Sequence, residues 1–161
     1  MKVYTGEGDF GETYDLKGFK HNKDSPVIHF LGALDELNSH LGLIKAMLLK
    51  CNFIAVIQKN IMKLMSHVSD KNCEDYLISD NDVSILEKEI DKLSDNIPRL
   101  NELIIPGKNI TEAQVQITRT AARRAERFYF AVNTKQSLRP QAGIYLNRLS
   151  DYLFILSQQD L

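Results

Sequence analysis

The sequence predicts an all-α protein, an up-down bundle of five helices with an irregular, Gly-rich segment at its N-terminus. Five stretches repeat apolar residues every three or four positions, which is the spacing of one helix face. No stretch shows a convincing alternation of apolar and polar residues, the pattern that indicates a strand. Three of the eight glycines fall within six positions near the N-terminus, where the sequence predicts no helix.

Length and composition suit one globular domain, residues 1–161, because 43% of the 161 residues are hydrophobic. The formal net charge of -1 makes nucleic acid an unexpected partner, since proteins that bind it usually carry a clear basic excess. No apolar run approaches the roughly 18 residues of a membrane span, so no membrane association is expected. Cys51 and Cys73 lack the spacing of metal ligands, and no signal peptide precedes them. Reduced thiols in a cytoplasmic protein are therefore expected.

Residues 1–25 are predicted to form an arm rather than a helix. The segment from Thr5 to Thr13 contains the clustered glycines, and Gly-rich backbone can turn its N–H groups toward an anion. It is not a P-loop, because GxxxxGK[ST] is absent. A flexible arm without a ligand explains the composition equally well. Pro26 follows at the place where a first helical turn would begin.

The first helix is predicted from Val27 to Leu49. Its core stripe consists of Phe30, Leu34, Leu37, Leu41, Ile44 and Leu48. A second arc carries small and polar residues, namely Gly32, Asp35, Asn38, Ser39 and Gly42. Each internal glycine costs up to about 1 kcal/mol in a helix. This cost favours a closely packed interface over the alternative, a weakly helical side that faces solvent.

Two further helices are predicted from Phe53 to Val68 and from Asp80 to just before Pro98, joined by a polar loop. The third helix repeats apolar residues at the heptad spacing of bundle packing. The following connection contains the apolar run from Leu103 to Gly107, which is predicted to lie against the bundle. Thr111-Glu112-Ala113-Gln114 has the T-x-x-Q form of a capping box and predicts the start of the fourth helix.

The fourth helix, which ends near Asn133, carries four arginines between Gln116 and Arg127. At about 100° per residue, one arc of this helix carries Gln116, Arg119, Arg123, Glu126 and Arg127. The opposite arc, predicted to be buried, carries Ile117, Ala121, Ala122, Ala125, Phe128, Tyr129 and Val132. Arginine suits planar, bidentate contacts with carboxylate or phosphate. A solvated helix face with Glu126 as a local counter-ion is the alternative.

The fifth helix is predicted from Ile144 to Gln158, after a loop from Gln136 to Gly143. It is apolar on nearly every side from Tyr152 onward, so a central position is expected. Yet Asn147, Arg148 and Asp151 share one arc, and buried polar groups need hydrogen bonds. These side chains either brace neighbouring helices or face the same cavity as the arginines.

Ferritin-like bundles of this up-down type often hold di-iron sites, which require Glu-x-x-His on two helices. None of the four histidines follows a Glu by three, and Glu36 with His40 fits a surface pair. Ser39 and Ser150 have no His at a matching helical offset. What remains is a set of phosphate-binding parts, the Gly-rich arm, Lys23 and the arginines. This set suits an enzyme that positions a nucleotide and stabilises charge.

Five separated motifs, in order, resemble those of the PduO-type ATP:cob(I)alamin adenosyltransferases. The segment from Thr5 to Thr13 resembles the family's T-x-T-G-D-x-G-x-T, and Lys23-Asp24 resembles its phosphate-side Lys-Asp. The segment from Gly32 to Ser39 resembles G-x-L-D-E-L-N-S. The most specific matches are the stretches from Arg119 to Arg127 and from Asn147 to Phe154.

The resemblance implies a homotrimer of five-helix bundles that binds ATP, Mg²⁺ and cobalamin, with ATP and cobalamin at the subunit interfaces. The implied reaction is attack by Co(I) on the 5′ carbon of ATP, with release of triphosphate. No protein nucleophile is needed, because the metal of the corrinoid is the nucleophile. The resemblance also implies a reductase partner of the flavin type. It does not assign protein ligands to Mg²⁺.

Roles for individual residues follow from the same resemblance. The arm residues implied to contact ATP are Thr5, Gly6, Gly8, Asp9, Gly11 and Thr13. Lys23, Arg119 and Arg123 would hold the triphosphate, and Glu126, Asn147 and Asp151 would shape the nucleotide site. Asp35 would pair with Arg119 across the interface, so the implied catalytic set is Arg119, Asp35 and Arg123. Leu103 would face cobalamin.

Three positions depart from the family pattern. Glu7 stands in place of Thr, Gln116 in place of His, and Leu103 in place of the usual Phe at the cobalamin face. They motivate a rival hypothesis, a non-catalytic ATP- or corrinoid-binding trimer that serves as a sensor or carrier. A purely structural bundle is a third reading, for which the clustered arginines would be needless.

Overall fold

The computed structural model describes residues 4, 6–49, 51–70, 73–95, 97, 103–136 and 138–161. Its helices are α1 Pro26–Met47, α2 Phe53–Ser69, α3 Asp80–Ser94, α4 Ile110–Gln136 and α5 Pro140–Ser157. A short 3-10 turn covers Glu74–Tyr76, and two strands, β1 Glu12–Tyr14 and β2 Lys20–Asn22, form an antiparallel pair. The predicted five-helix bundle with an irregular N-terminal segment is confirmed.

The helix α4 packs between α1 and α5, while α2 lies on α1 and α3 lies on α5. The core between them is continuous and includes the fully buried side chains of Phe30, Tyr129 and Tyr152. Ten of the eighteen residues of α5 are buried, in agreement with the central position predicted for this helix. Within the described ranges, no helix is long and apolar enough to cross a membrane. Cys51 and Cys73 are free thiols, as predicted.

The helix α1 begins where the sequence predicts, with Ser25 as its cap and Pro26 in its first turn. Its predicted core stripe is buried, apart from Leu48, which is partly buried just beyond the helix end. In the arc of small residues, Gly32, Asp35 and Ser39 are exposed, whereas Asn38 and Gly42 are half-buried beside Gln58 of α2. Within one chain, the packed interface predicted for this arc is therefore present only at Asn38 and Gly42.

The N-terminal arm contains a hairpin, although the sequence showed no strand pattern. Thr13 of β1 pairs with His21 of β2. The intervening turn is held by the Asp15 carboxylate, which accepts hydrogen bonds from the Lys17 and Phe19 N–H groups at 2.9 and 3.0 Å. Strands of three residues are too short for alternation to be recognised.

The capping residue of α4 was predicted incorrectly, although the helix starts within two residues of the predicted place. The Asn109 side chain, not that of Thr111, caps the helix and accepts a 2.8 Å hydrogen bond from the Glu112 N–H. The Glu112 carboxylate in turn accepts from the N–H groups of Gly107 and Lys108, at 2.7 and 3.1 Å. Asn is at least as good a cap as Thr, and these hydrogen bonds begin the helix at Ile110.

The buried face of α4 differs from the predicted one at three positions, one of which is Gln116, predicted on the polar arc but only 4% exposed. Ile117 is 50% exposed, whereas Thr118 is completely buried and donates its hydroxyl to the Gln114 carbonyl at 2.8 Å. The reason is that α4 is covered from two sides, by α1 and α5, so its buried arc is displaced from the one that the apolar residues mark. The remaining predicted residues are buried, with Phe128 partly so.

The helix α5 begins at Pro140 rather than at Ile144, so the predicted loop up to Gly143 is wrong. Proline is well suited to the first turn of a helix, where its missing N–H would have no partner. The Tyr129 hydroxyl donates a 2.9 Å hydrogen bond to the Arg139 carbonyl and ties this start to α4. The sequence signal was present in Pro140 but was interpreted as a loop signal.

The apolar connection before α4 was predicted to lie against the bundle, and this is wrong for two of its side chains. Leu103 is 99% exposed and Ile105 is 89% exposed, while Ile104 is partly buried. The Glu112 carboxylate holds Gly107 and Lys108 at the start of α4. Leu103 and Ile105 precede these residues, and their side chains face solvent. The predicted end of the third helix also differs, because α3 stops at Ser94.

Candidate active site

The outer face of α4 carries Arg119 in a fixed orientation. Its Nε donates a 2.8 Å hydrogen bond to Oε1 of Gln116, one turn earlier. Gln116 is only 4% exposed, and its Nε2 donates to the Oγ of Ser157 in α5 at 2.9 Å. Arg119 itself is half-buried. Its guanidinium is thus held by a buried amide that spans α4 and α5.

Arg123 and Arg127 lie on the same side of α4 and are exposed. Arg127 donates to the Arg123 carbonyl at 3.2 Å, and within the described residues neither guanidinium takes part in an ion pair. The counter-ion role considered for Glu126 is not observed, because its carboxylate accepts from Asn147 instead. Unpaired guanidinium groups on one face are suited to bind a polyanion.

The predicted cluster on α5 is present and forms a hydrogen-bonded series with α3 and α4. Asn147 donates its Nδ2 to Oε1 of Glu126 at 3.0 Å and accepts at Oδ1 from Arg148 at 3.0 Å. Arg148 also donates its Nε to Glu87 at 2.9 Å and lies 3.9 Å from Asp151. Asp151 is exposed, so the buried Asn–Asp pair considered from the sequence does not form. The cluster braces three helices beside the arginine face.

The Gly-rich arm is closed by Lys23. Its Nζ donates a 2.6 Å hydrogen bond to the Gly8 carbonyl, and its backbone N–H donates to the Gly11 carbonyl at 2.9 Å. Gly6 and Gly11 have φ of 81° and 84°, a conformation that glycine adopts readily. Asp9 is exposed, and Thr5 lies outside the described residues. The backbone between Gly6 and Gly11 therefore forms a turn whose edge faces solvent.

The hairpin of the arm is stabilised by charge. Asp15 accepts from Nε2 of His21 at 2.9 Å, and Lys17 forms a 2.7 Å ion pair with Asp70 at the end of α2. Burial alone would raise the pKa of Asp15. The hydrogen bonds from His21, Phe19 and Lys17 outweigh burial and lower that pKa below 3.8. The ion pair between Lys17 and Asp70 thus joins the hairpin to the end of α2.

Asp35 and Arg119 are not paired within the chain. Asp35 is exposed on α1, and the acid that does pair with α4 is its neighbour Glu36, which forms an ion pair with Arg124. Glu36 also lies 3.9 Å from His40, the surface pair that the sequence predicted. The pairing of Asp35 with Arg119 was predicted across a subunit interface and stays a prediction.

The contacts that sequence reasoning missed include the Gln116–Ser157 bond, the Glu36–Arg124 ion pair and the Arg148–Glu87 bond. Each joins residues that are far apart in the sequence, and no local spacing signals them. In the described ranges, no group of three or more His, Cys, Asp or Glu side chains could hold a metal ion. Leu103, the predicted cobalamin-facing residue, is almost completely exposed.

Comparison with known proteins gives a consistent result. The family model described as cobalamin adenosyltransferase matches residues 3–159. The corrinoid adenosyltransferase of Bacillus subtilis is 34% identical over 162 residues, which cover 96% of this chain and 83% of that protein. A corrinoid adenosyltransferase of Citrobacter freundii is also 34% identical, with coverage of 98% of this chain and 93% of the relative.

A solved structure shows the same bundle. It is a variant of the PduO-type ATP:corrinoid adenosyltransferase of Lactobacillus reuteri, complexed with cobalamin and ATP. The TM-score is 0.89 at 26% identity, over 98% of this chain and 92% of that one. A second variant of the same enzyme, complexed with ATP, has a TM-score of 0.85 over 97% of this chain.

Proposed function

Because this chain belongs to the cobalamin adenosyltransferase family, we propose that it transfers the 5′-deoxyadenosyl group of ATP to the cobalt of cob(I)alamin. The products are adenosylcobalamin and triphosphate. The observation that carries this proposal is the family match over residues 3–159, since the arm, the arginine face and the α5 cluster all fall inside it. Relatives of the same length range carry the name corrinoid adenosyltransferase.

The reaction makes one bond and breaks one bond. The electron pair of Co(I) forms the Co–C5′ bond while the C5′–O bond to the triphosphate breaks. Cobalt becomes Co(III), and the triphosphate leaves with the electron pair of the broken bond. The corrinoid supplies the nucleophile, so the protein has to align two substrates and stabilise the negative charge that grows on the leaving group.

Arg119 and Arg123 are proposed to bind the triphosphate. Gln116 accepts a hydrogen bond from the Nε–H of Arg119. Within the described part of the chain, no residue forms a hydrogen bond with the two Nη groups of Arg119. Those groups remain available for the planar, bidentate contact that arginine makes with phosphate. Arg123, exposed and without an ion pair, lies one turn further along the same face. Together they place positive charge where the leaving group develops negative charge.

The arm is proposed to wrap the nucleotide. The backbone N–H groups around Gly6, Gly8 and Gly11 suit an anion, and Asp9 and Thr13 add polar side chains beside them. Thr5 is included in this proposal on its motif alone. Lys23 has three donors on its ammonium group, so its bond to the Gly8 carbonyl leaves donors for a phosphate oxygen.

The α5 cluster is proposed to shape the nucleotide site next to the arginines. Both polar ends of the Asn147 amide are already bonded, to Glu126 and to Arg148. Asn147 thus fixes Glu126 with one of its two amide protons, and the second proton is left for a ligand. Asp151, which is exposed beside this cluster, remains accessible to a ligand.

A homotrimer is proposed, with Asp35 of one subunit paired to Arg119 of the next. The support is the exposed arc of α1, where Gly32 has no atom within 4 Å of an added Cβ in the single chain. Leu43 and Ile117, 49% and 50% exposed, extend the uncovered surface of α1 and α4. Such an arrangement covers apolar surface and supplies the missing partner of Asp35.

The remaining proposed partners are Mg²⁺, the corrinoid and a reductase. Mg²⁺ prefers phosphate oxygens with few carboxylates, and a metal carried on ATP fits a chain whose described residues offer no cluster of metal ligands. Mg²⁺ neutralises part of the triphosphate charge, while Lys23, Arg119 and Arg123 hold the phosphates. Leu103 is proposed to contact the corrinoid. A flavin-type reductase in the cytoplasm is proposed to supply Co(I).

One experiment separates this function from its rival, the non-catalytic trimer motivated by Glu7, Gln116 and Leu103. The protein is mixed anaerobically with MgATP and pre-reduced cob(I)alamin, and the visible spectrum is followed. Many turnovers to adenosylcobalamin are expected, whereas ATP binding without product would identify a sensor or carrier. Arg119→Lys serves as the control, because lysine keeps the charge but loses the planar fork. It is expected to keep the fold and lose most of the activity.

A further inference from the structure

We propose that Gln116 and Ser157 are positioning residues that orient Arg119 toward the triphosphate. This inference rests on the proposed function, because it assumes that Arg119 binds the leaving group. The contacts form a continuous series from α5 to the guanidinium. The Ser157 hydroxyl donates to the Phe154 carbonyl at 2.7 Å, Gln116 donates to Ser157 at 2.9 Å, and Arg119 donates to Gln116 at 2.8 Å.

The direction of every bond in this series is determined by the donors available. The only proton of the Ser157 hydroxyl is used on the Phe154 carbonyl, so its oxygen must accept from Gln116. The NH₂ end of the Gln116 amide therefore faces Ser157, and its carbonyl oxygen faces Arg119. A reversed amide would bring two donors together at Arg119 and leave Ser157 without its donor. Gln158 also donates to the Ser157 oxygen, at 2.7 Å, which reinforces its role as an acceptor.

Burial makes this orientation persistent. Gln116 is 4% exposed and Ser157 is 3% exposed, so water does not compete well for either side chain. Polar groups buried in this way retain their partners, because breaking a bond would leave a donor or acceptor unpaired. The amide is fixed by the bundle, and it fixes the Nε–H direction of Arg119 in turn. Since the guanidinium is planar, one fixed N–H direction restricts where the two Nη groups point.

The consequence is that Arg119 is oriented before ATP arrives. A preorganised donor stabilises developing charge more effectively than one that must reorient during the reaction. The sequence gives no hint of this function, because Gln116 and Ser157 are 41 positions apart. The orienting group is an amide, which supplies a donor to Ser157 and an acceptor to Arg119.

The test compares Gln116→Met with Gln114→Met. Both changes replace an amide on α4 by an apolar side chain of similar length. Gln114 contacts His40 and Thr118 but not Arg119. Gln116→Met and Ser157→Ala are expected to lower kcat for adenosyl transfer about tenfold. They should leave KM for cob(I)alamin within about twofold, while Gln114→Met keeps kcat within about twofold. Thermal melts confirm that each variant is folded.

A double-mutant cycle separates positioning from a structural role. In an Arg119→Lys background, no Nε–H is available for Gln116 to orient. Gln116→Met is therefore expected to cost less than about twofold further in kcat. An equal loss in both backgrounds would overturn the proposal, because Gln116 would then act independently of Arg119.

A spectroscopic readout is independent of turnover. The ¹H–¹⁵N signal of the Arg119 Nε–H is expected to exchange slowly in the wild type and in Gln114→Met, and rapidly in Gln116→Met. An Arg119 signal unaffected by Gln116→Met would also overturn the positioning role. If the wild type binds ATP without turnover, the adenosyltransferase proposal fails. The double-mutant cycle is then measured with the Kd for MgATP in place of kcat. A wild type that neither binds ATP nor forms product would overturn both proposals.

Discussion

The Nζ of Lys23 donates a 2.6 Å hydrogen bond to the carbonyl oxygen of Gly8, fifteen residues earlier, and so closes the Gly-rich turn of the arm. The bond joins the residue after β2 to a segment that precedes β1. It makes the conformation of the proposed nucleotide-binding turn depend on a side chain that is itself proposed to bind phosphate. Closure of the arm and ATP binding are then two effects of one ammonium group.

Replacement of Lys23 should separate these two effects. Lys23→Gln keeps a donor for the Gly8 carbonyl but removes the charge, whereas Lys23→Ala removes both. We expect KM for ATP to rise about tenfold or more in each variant, because charge-assisted contacts are the stronger ones. Hydrogen exchange of residues 6–13 should accelerate mainly in Lys23→Ala. Lys20→Gln is the control, since Lys20 lies on β2 and pairs with Glu12. An equal rise of KM in this control would argue against a specific role for Lys23.

Gly143→Ala should destabilise the fold because Tyr129 leaves no room for a methyl group. A Cβ at this position would lie 2.4 Å from Cε1 of the Tyr129 ring. The ring is restrained by its hydrogen bond to the Arg139 carbonyl and by edge contact with Phe30. Overpacking of this kind costs about 1–3 kcal/mol, which urea unfolding would measure. Gly42→Ala is the control, because its Cβ would meet only Gln58 at an ordinary 3.5 Å. A neutral Gly143→Ala would mean that the ring can move aside.

Gly32→Ala distinguishes a free helix face from a subunit interface. In the single chain, an added Cβ at Gly32 meets no atom within 4 Å. If the face is free, the better helix propensity of alanine should stabilise the fold by up to about 1 kcal/mol. If a neighbouring subunit packs there, the trimer should weaken instead, which is the result we expect. Light scattering across a dilution series, together with thermal melts, measures both effects. A monomeric wild type at micromolar concentration would contradict the trimer itself.

Two buried tyrosines should govern stability at alkaline pH. Burial raises the pKa of Tyr145 and of Tyr152 far above the ordinary value of 10.0, despite the hydrogen bond from Asn60 to Tyr145. Because the folded pKa exceeds the unfolded one, their contribution to stability is complete below pH 10 and is lost as the pH rises further.

Tyrosinate absorbance and circular dichroism, recorded in one alkaline titration, check this expectation. The late fraction of the absorbance change should coincide with loss of helical signal. Tyr152→Phe removes one buried hydroxyl and its contact with Cys51, so it should move the unfolding midpoint to higher pH. Ionisation of all tyrosines in a protein that stays helical would contradict the assignment.

The comparison of sequence with structure shows which information is local. Apolar periodicity placed four of the five helix starts within a residue or two, and the Asn147–Arg148–Asp151 cluster was recognisable on one arc. The hairpin was missed because each strand has only three residues. Thr118 was missed because a helix covered from two sides buries a wider arc than its apolar residues mark.

The contacts that could not be predicted are those between residues that lie far apart in the sequence. Gln116 was visible as a departure from the family pattern, but its partner Ser157 looked like an ordinary polar residue near the end of an apolar helix. Glu36 and Arg124 are 88 positions apart and sit next to Asp35 and Arg123, which the motifs emphasise. Because Asp35 and Glu36 carry the same charge, the sequence did not indicate which of the two forms an ion pair with α4.

Leu103→Phe tests the corrinoid face of the proposed site. Reduction of cob(II)alamin becomes easier when the lower axial ligand leaves cobalt and no water replaces it. Leu103 is 99% exposed in the single chain, so it is free to cover a ligand. Leucine is apolar but smaller than phenylalanine, and a gap beside a polar partner admits water. Phenylalanine should exclude that water better. We expect turnover from cob(II)alamin with a weak reductant to rise about tenfold, equivalent to about 1.4 kcal/mol.

The same variant should behave like the wild type when cob(I)alamin is supplied ready-made, because the substitution leaves the proposed ATP contacts of Arg119, Arg123 and the arm unchanged. Ile105→Phe is the matched control, since Ile105 is 89% exposed two residues away and receives the same new ring. It should leave both rates unchanged. A gain of equal size in both assays would show that the ring acts on adenosyl transfer rather than on reduction. A gain in both variants would show that any added apolar surface on this segment suffices, and that Leu103 has no specific place at the lower face of the corrin.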